Sequence, residues 1–121
     1  VIAMLDTLEY VHRSGRVSWA KARIGSLLRI KPFLEVKNGR VLSLGQARSR
    51  RKGIDHLMNL CKKIGPLEKL TVLHTNAEAD ALEMADHFKE AAPEPPMVVN
   101  VTTIVGTHVG PNGLGFSAVV K

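Results

Sequence analysis

Hydrophobic residues recur along this chain with a helical period in some stretches and a strand period in others, and the switches between the two mark out its elements. Over residues 3–13, Met4, Leu5, Leu8 and Val11 or His12 fall at helical spacing with Asp6 and Glu9 among them, and Ser14-Gly15 closes the pattern as a helix C-terminus does. Ser18 is placed to cap a second helix over residues 19–28, in which Ala20, Ile24, Leu27 and Leu28 share a face while Lys21 and Arg23 point elsewhere. Pro32 requires that helix to have ended. Residues 33–37 and 40–44 are β-prone and flank Asn38-Gly39, both of which tolerate the positive φ of a type I′ turn, so a hairpin is predicted.

The helical period returns over residues 51–64 with Ile54, Leu57, Met58 and Cys61, and Gly65-Pro66 stops it. A β-prone run at 69–75 follows, then Asn76 as a candidate cap for a helix over 77–92. Pro93-Glu94-Pro95-Pro96 reads as a stiff connector to a strand over 97–105, and a last strand is expected at 115–120. Helices and strands thus alternate around one hairpin. The expected fold class is α/β, a two-layer domain whose mixed β-sheet carries its helices mainly on one face.

Composition narrows the function classes. A chain of 121 residues, 45% hydrophobic and without an apolar run of membrane-spanning length, reads as one globular domain with no integral membrane segment. The single cysteine, Cys61, excludes an internal disulfide and supplies no metal cluster, which fits a reducing compartment and a cytoplasmic location. Seventeen Lys and Arg against 11 Asp and Glu leave a net charge of +6, which attracts nucleic acid, anionic membrane or an acidic partner without selecting among them. The densest basic run holds Arg48, Arg50, Arg51 and Lys52. It is either a solvated entry to a helix or a partner-docking patch. Tyr10, Trp19, Phe33, Phe88 and Phe116 are not interleaved with basic residues as stacking platforms for single strands would be, so nucleic acid is not an expected partner.

Candidate chemistry gathers near the C-terminus. The run Gly106-Thr107-His108-Val109-Gly110-Pro111 places an imidazole and a hydroxyl in a glycine-bracketed turn, where backbone amides can complete a nest for one small anionic group. Gly110, Gly113 and Gly115 do not make a dinucleotide fingerprint, because the required strand, glycine-rich turn and helix do not follow one another there. His12, His56, His74 and His87 have no partner at a zinc-binding spacing, so neither a metal nor a cofactor is expected. Nucleophile elbows and Cys/His signatures are absent, and the acids sit where helix surfaces need charge. A binding module explains the sequence better than an enzyme using His108 as acid or base.

Taken in order, residues 8–18 (Leu-Glu-Tyr-Val-His-Arg-Ser-Gly-Arg-Val-Ser), residues 24–32 (Ile-Gly-Ser-Leu-Leu-Arg-Ile-Lys-Pro), Asn38-Gly39, the basic run and the closing Gly-Thr-His-Val-Gly-Pro loop resemble the carboxy-terminal subdomain of the DegV family. The likeness covers nearly the whole chain. It implies a fatty-acid-binding protein that holds an acyl chain in an apolar tunnel and presents its carboxylate to a fatty-acid kinase, which performs the phosphoryl transfer. By this resemblance Thr107 and His108 lie at the carboxylate end together with Arg16, or Arg13 one turn away, and Ile24, Leu27, Leu28 and Phe33 are acyl-chain candidates. Family members are about twice this long and begin with another α/β domain. The resemblance therefore implies that residues 1–121 are a fragment of a two-domain protein, and that the amino-terminal domain is a partner in binding. A basic interaction module without bound lipid is the alternative.

Overall fold

The computed structural model of the chain describes residues 1–7, 10, 30–101 and 110–121. Six strands form one mixed sheet: β1 (Ile2–Met4), β2 (Lys31–Lys37), β3 (Arg40–Ala47), β4 (Leu67–Thr75), β5 (Met97–Asn100) and β6 (Gly113–Val120), in the order β3-β2-β1-β6-β4-β5. All neighbours are antiparallel except β4 and β5. Two helices are described, α1 (Arg50–Lys63) and α2 (Glu78–His87). The expected α/β class and mixed sheet are present. The helix predicted over 19–28 and residues 8, 9 and 11–13 of the one predicted over 3–13 lie outside the described residues, as does the 102–105 part of the strand predicted from residue 97.

Local chemistry accounts for most boundaries. Asn38 and Gly39 take φ of 52° and 76°, the two positive values that turn β2 into β3. Ser49 caps α1 by accepting a hydrogen bond from the Lys52 N–H, and Lys62 and Lys63 lie in its last turn, where the helix dipole favours cations. The β4–α2–β5 segment is a strand–helix–strand unit whose strands pair in parallel, Leu73 opposite Val99.

Three expectations fail. Ala3 and Met4 belong to a central strand, not to a helix. This strand is paired on both edges and is apolar on both faces, one turned to the helices and the other to an open trough, so its apolar residues run on without alternating and read as a helical period. Asn76 does not cap α2 either. It adopts φ of 51°, the N-cap position is Ala77, and the Ala77 N–H donates instead to Nδ1 of buried His74 at 3.0 Å. The helix also ends at His87, five residues before the expected 92.

One face of the sheet carries both helices. Met4, Phe33, Val72, Leu114 and Phe116 from the strands meet Leu57 and Cys61 of α1 and Ala81 and Met84 of α2 in a single buried cluster. Register places them together: Ile2 pairs with Phe116 and Phe116 with Val72, while Met4 pairs with Phe33 and Leu114. Helix α1 approaches β1 closely because Gly53 has no side chain; a Cβ there would strike Sδ of Met4, which is 0% exposed. Burial pushes the Cys61 thiol from 9.0 up to about 11.

Gly53→Ala is expected to destabilise the fold by roughly 1–3 kcal/mol in denaturant unfolding, because overpacking against Met4 exceeds the helix-propensity gain of about 1 kcal/mol. The native Cys61 thiol should react with a disulfide reagent at pH 8 about a hundredfold or more slowly than in the unfolded chain, since it is buried and its thiolate fraction is about a hundredfold below that of a thiol at the ordinary value. The raised value also sets a pH slope. The native state holds its proton where the unfolded chain has released one, so this contribution is intact below about pH 9 and is lost as pH rises toward 11. Cys61→Ala should remove that component of the alkaline stability loss.

Candidate functional site

The opposite face of the sheet carries no described helix, and there the strands build a cavity of about 290 Å³. Side chains alternate across a strand, so Val1, Ala3 and Leu5 turn to this face while Ile2 and Met4 turn to the helices. Leu34 and Val36 of β2 form one wall, and Leu73, Thr75 and Val101 form the other. Between the walls the floor is made of Ala3, Gly113 and Gly115. Leu5 and Leu34 are buried, at 1% and 6% exposure, yet neither belongs to the helix-side cluster, which confirms that they cover a separate apolar surface.

The floor is low because it cannot be otherwise. A Cβ at Gly115 would lie 2.7 Å from the Ile2 carbonyl oxygen and 2.8 Å from Cβ of Ala3, its register partner, and one at Gly113 would lie 2.9 Å from Oγ1 of Thr75. The spacing Gly113-Leu114-Gly115-Phe116 thus packs one face of β6 fully and leaves the other bare. That alternation is legible in the sequence as glycine at every second position of a strand, and it is the signal that motif reading passed over.

At one end of the cavity, where Leu5, Thr75 and Gly113 converge, a polar clamp closes the wall. The buried Thr75 hydroxyl donates to the Gly110 carbonyl at 2.7 Å and accepts from the Gly113 N–H at 2.8 Å. Pro111 and Asn112 lie between them, Asn112 with φ of 63°, the residue order and positive φ suited to a type II turn. Gly110 has φ of 79° and lies against the ring of Tyr10. Arg50 grips the turn from outside, donating from Nη1 to the Asn112 carbonyl at 2.7 Å. Its remaining donors reach Asp80 Oδ2, from Nε at 3.0 Å and Nη2 at 2.6 Å, while Nη1 also meets Asp6 Oδ1 at 3.1 Å. Lys31 Nζ completes the group with 2.7 Å to the Asp6 carbonyl oxygen and 3.3 Å to Asp6 Oδ1.

The sequence-predicted site residues therefore divide. Thr107, His108, Arg16, Arg13, Ile24, Leu27 and Leu28 lie outside the described residues. Phe33 does not line the cavity: β2 turns its ring to the helix side, where it is 1% exposed and packs edge-on to His56 at a centroid distance of 4.7 Å. Arg48, Arg51 and Lys52 are exposed around the first turn of α1, whereas Arg50 is engaged by Asp80, Asp6 and Asn112. Among the described residues, no group of three or more His, Cys, Asp or Glu is placed to hold a metal ion, and no helix is long and apolar enough to cross a membrane.

Comparison with known proteins identifies this architecture. The model of "Uncharacterised protein, DegV family" matches residues 1–121. A DegV domain-containing protein of Clostridium perfringens is 30% identical over 120 residues, which cover 97% of this chain and 42% of the relative. Among solved structures, a fatty acid binding DegV family protein from Streptococcus agalactiae matches with a TM-score of 0.83 at 23% identity, over 99% of this chain and 44% of that one. DegV from Bacillus subtilis, a fatty acid binding protein, matches with a TM-score of 0.74 at 30% identity, over 99% of this chain and 44% of its own. The chain spans about two fifths of the length of the relatives it matches. With a family match running from the first residue to the last and the same fold found in both solved structures, the chain belongs to the DegV family.

Proposed function

We propose that this chain binds the acyl tail of a long-chain fatty acid in the cavity on the open face of the sheet and presents the carboxylate to a separate fatty-acid kinase. The observation that carries the reading is the apolar trough floored by Ala3, Gly113 and Gly115, a surface the fold leaves bare without need of it for its own core. The 30% identity to a fatty acid binding protein of Bacillus subtilis supports the ligand class. On this reading the protein is a cytoplasmic carrier without a cofactor, and phosphoryl transfer is the kinase's chemistry.

The trough has a polar and an apolar end, and the two ends do different work. Residues 102–109 join the described structure at Val101 and Gly110, beside the end where Leu5, Thr75 and Gly113 meet. The carboxylate belongs there, with Thr107, His108 and Arg16 as its partners, and the tail runs toward Val1 and Val36. Thr75 is not one of those partners, because its one hydroxyl hydrogen is already directed at the Gly110 carbonyl. A sixteen-carbon chain gains about 0.8 kcal/mol for each of roughly 14 methylenes, near 11 kcal/mol before ordering costs, if it is fully enclosed. One hydrogen bond to its carboxylate adds only about 1.5–3 kcal/mol. Affinity comes from enclosure and orientation from the polar end.

Enclosure needs more wall than the described residues provide, since Val1 and Val36 at the apolar end are 47% and 43% exposed. Ile24, Leu27 and Leu28 supply part of it, and the surface of a preceding α/β domain supplies the rest. The kinase docks at Arg48, Arg51 and Lys52, whose positive charge the amino end of α1 reinforces. A basic module without lipid would use the same residues but would give no reason for the bare trough.

The longest natural polypeptide carrying this sequence should yield a near-stoichiometric fatty acid on denaturation and mass spectrometry; a clean protein that also refuses added fatty acid would sink the proposal. Ala3→Leu, which raises the floor without touching the helix-side core, should weaken binding of a sixteen-carbon acid by about tenfold or more, read by calorimetry. Residues 1–121 alone should bind the same acid weakly or not at all. A tight one-to-one complex with that piece would contradict the need for a second wall.

A further inference from the structure

We infer that Ala3 is the specificity-determining position of the trough: beside it the floor widens into a side notch that takes a methyl branch on the acyl chain, so methyl-branched acids belong to the substrate class. The inference rests on the fatty-acid reading above.

The notch follows from strand parity and register. Gly113 and Gly115 carry no side chain to the open face, so β6 provides a straight, low lane along the sheet. The adjacent row on the β1 side is not level, because Val1, Ala3 and Leu5 alternate large, small and large. The Leu5 N–H donates to the Pro32 carbonyl and the Val36 N–H to the Val1 carbonyl, both at 2.9 Å, so strand geometry continues one residue past each end of β1. Same-face residues of a strand lie about 6.8 Å apart, which sets Val1 and Leu5 on either side of Ala3 at that spacing. Ala3 pairs with Gly115 on one side and with buried Leu34 on the other. The notch therefore opens from the lane at Gly115, crosses Ala3 and is closed behind by Leu34.

Its shape suits a single lateral carbon and not a bend. A methyl branch leaves the lane at one carbon while the chain continues over Gly113 and Gly115. A chain that bends toward β1 carries all its remaining carbons with it and meets Val1 or Leu5, according to its direction. A straight chain leaves Ala3 and Leu34 uncovered at this row, and a branch covers them, adding apolar contact there and nowhere else along the lane.

Of the floor residues, position 3 alone sets the size of the notch. A Cβ at Gly115 or Gly113 would collide with the Ile2 carbonyl oxygen or the Thr75 hydroxyl, so the lane cannot be refilled without moving the sheet. Ala3 already turns its Cβ to the open face, and γ atoms added there enter the notch. The γ carbons of valine would fill it, whereas the δ carbons of leucine would reach over Gly115 into the lane itself.

The test uses the full natural polypeptide carrying this sequence, with hexadecanoic acid and a series of methylhexadecanoic acids branched at successive carbons as probes in calorimetry. Every isomer gains the same from its extra carbon on leaving water, so dependence on branch position reports the notch alone. Wild-type protein should bind isomers branched at one or two adjacent carbons at least as tightly as the straight acid, and the others about tenfold or more weakly. Ala3→Val should weaken the favoured isomers by about tenfold or more and the straight acid by less than about threefold, and Ala3→Gly should keep the favoured isomers. Should Ala3→Val not fold, Ala3→Cys adds one γ atom to the notch and carries the same comparison. Equal losses at every branch position in the wild type, or a position preference that survives Ala3→Val unchanged, would overturn the inference. Wild-type protein that takes up the straight acid but no branched isomer overturns this inference alone. Wild-type protein that takes up neither removes the fatty-acid reading as well.

Discussion

The close approach of β1 to β6 at Ala3 and Gly115 is the contact on which the rest of the structure depends. Strand β1 is only three residues long, yet it alone joins the β2–β3 hairpin to β6, β4 and β5. So short a strand contributes few ladder hydrogen bonds, and its stability must come from burial on the helix side and from close backbone packing against its neighbours. On the helix side Met4 is fully buried against α1, which comes near because position 53 is glycine. On the other side Ala3 lies beside Gly115, where any Cβ would collide with the Ile2 carbonyl. Small residues at the centre of the sheet therefore serve the sheet first. The trough above them is a consequence of the same close packing.

The sequence disclosed elements whose signals are local and concealed those whose state is decided by distant contacts. The Asn38-Gly39 hairpin, α1 with its Ser49 cap, and the β4–α2–β5 unit were legible because turn chemistry, capping and periodicity all act within a few residues. Strand β1 was not, since Ile2, Ala3 and Met4 acquire their conformation from β2 and β6, which lie about 30 and 110 residues further on. The cap of α2 was misread for a related reason. Asn76 has the side chain of a capping residue, but the chain turns through it with positive φ, and the ring of His74 takes the Ala77 N–H.

Site residues followed the same division. The basic run was visible as charge, but charge does not distinguish exposed Arg51 from Arg50, whose partners at Asp6, Asp80 and Asn112 lie far away in sequence. Phe33 entered as an acyl-chain candidate through the family resemblance and its apolar character, without regard to strand parity. Strand parity, which could have been counted from Leu34 and Val36 on the open face, assigns it to the helix side instead. The glycines at 113 and 115 were weighed against a dinucleotide fingerprint, and Gly115 as the first residue of the last strand, but their spacing of two, the period of a strand face, was not used.

The sheet holds its fold from one side and leaves the other apolar and open. An apolar face left open on a small domain is ordinarily a liability for association. Here the helix side holds the core that keeps the sheet folded, while the trough side gives up side-chain volume at Ala3, Gly113 and Gly115. A ligand in the trough would thus add contacts without displacing any that the fold requires, so its binding free energy would not be reduced by loss of core packing. The polar brace at the end of the trough is built in the same way. Thr75 and Arg50 satisfy the backbone groups of the Gly110–Gly113 turn from within the protein, so the turn does not need the ligand to hold its shape. Rigidity at that end and the low apolar floor are complementary, because under the proposed function a preorganised polar end would lose little conformational freedom to a carboxylate and the floor would contribute in proportion to the length of chain it covered.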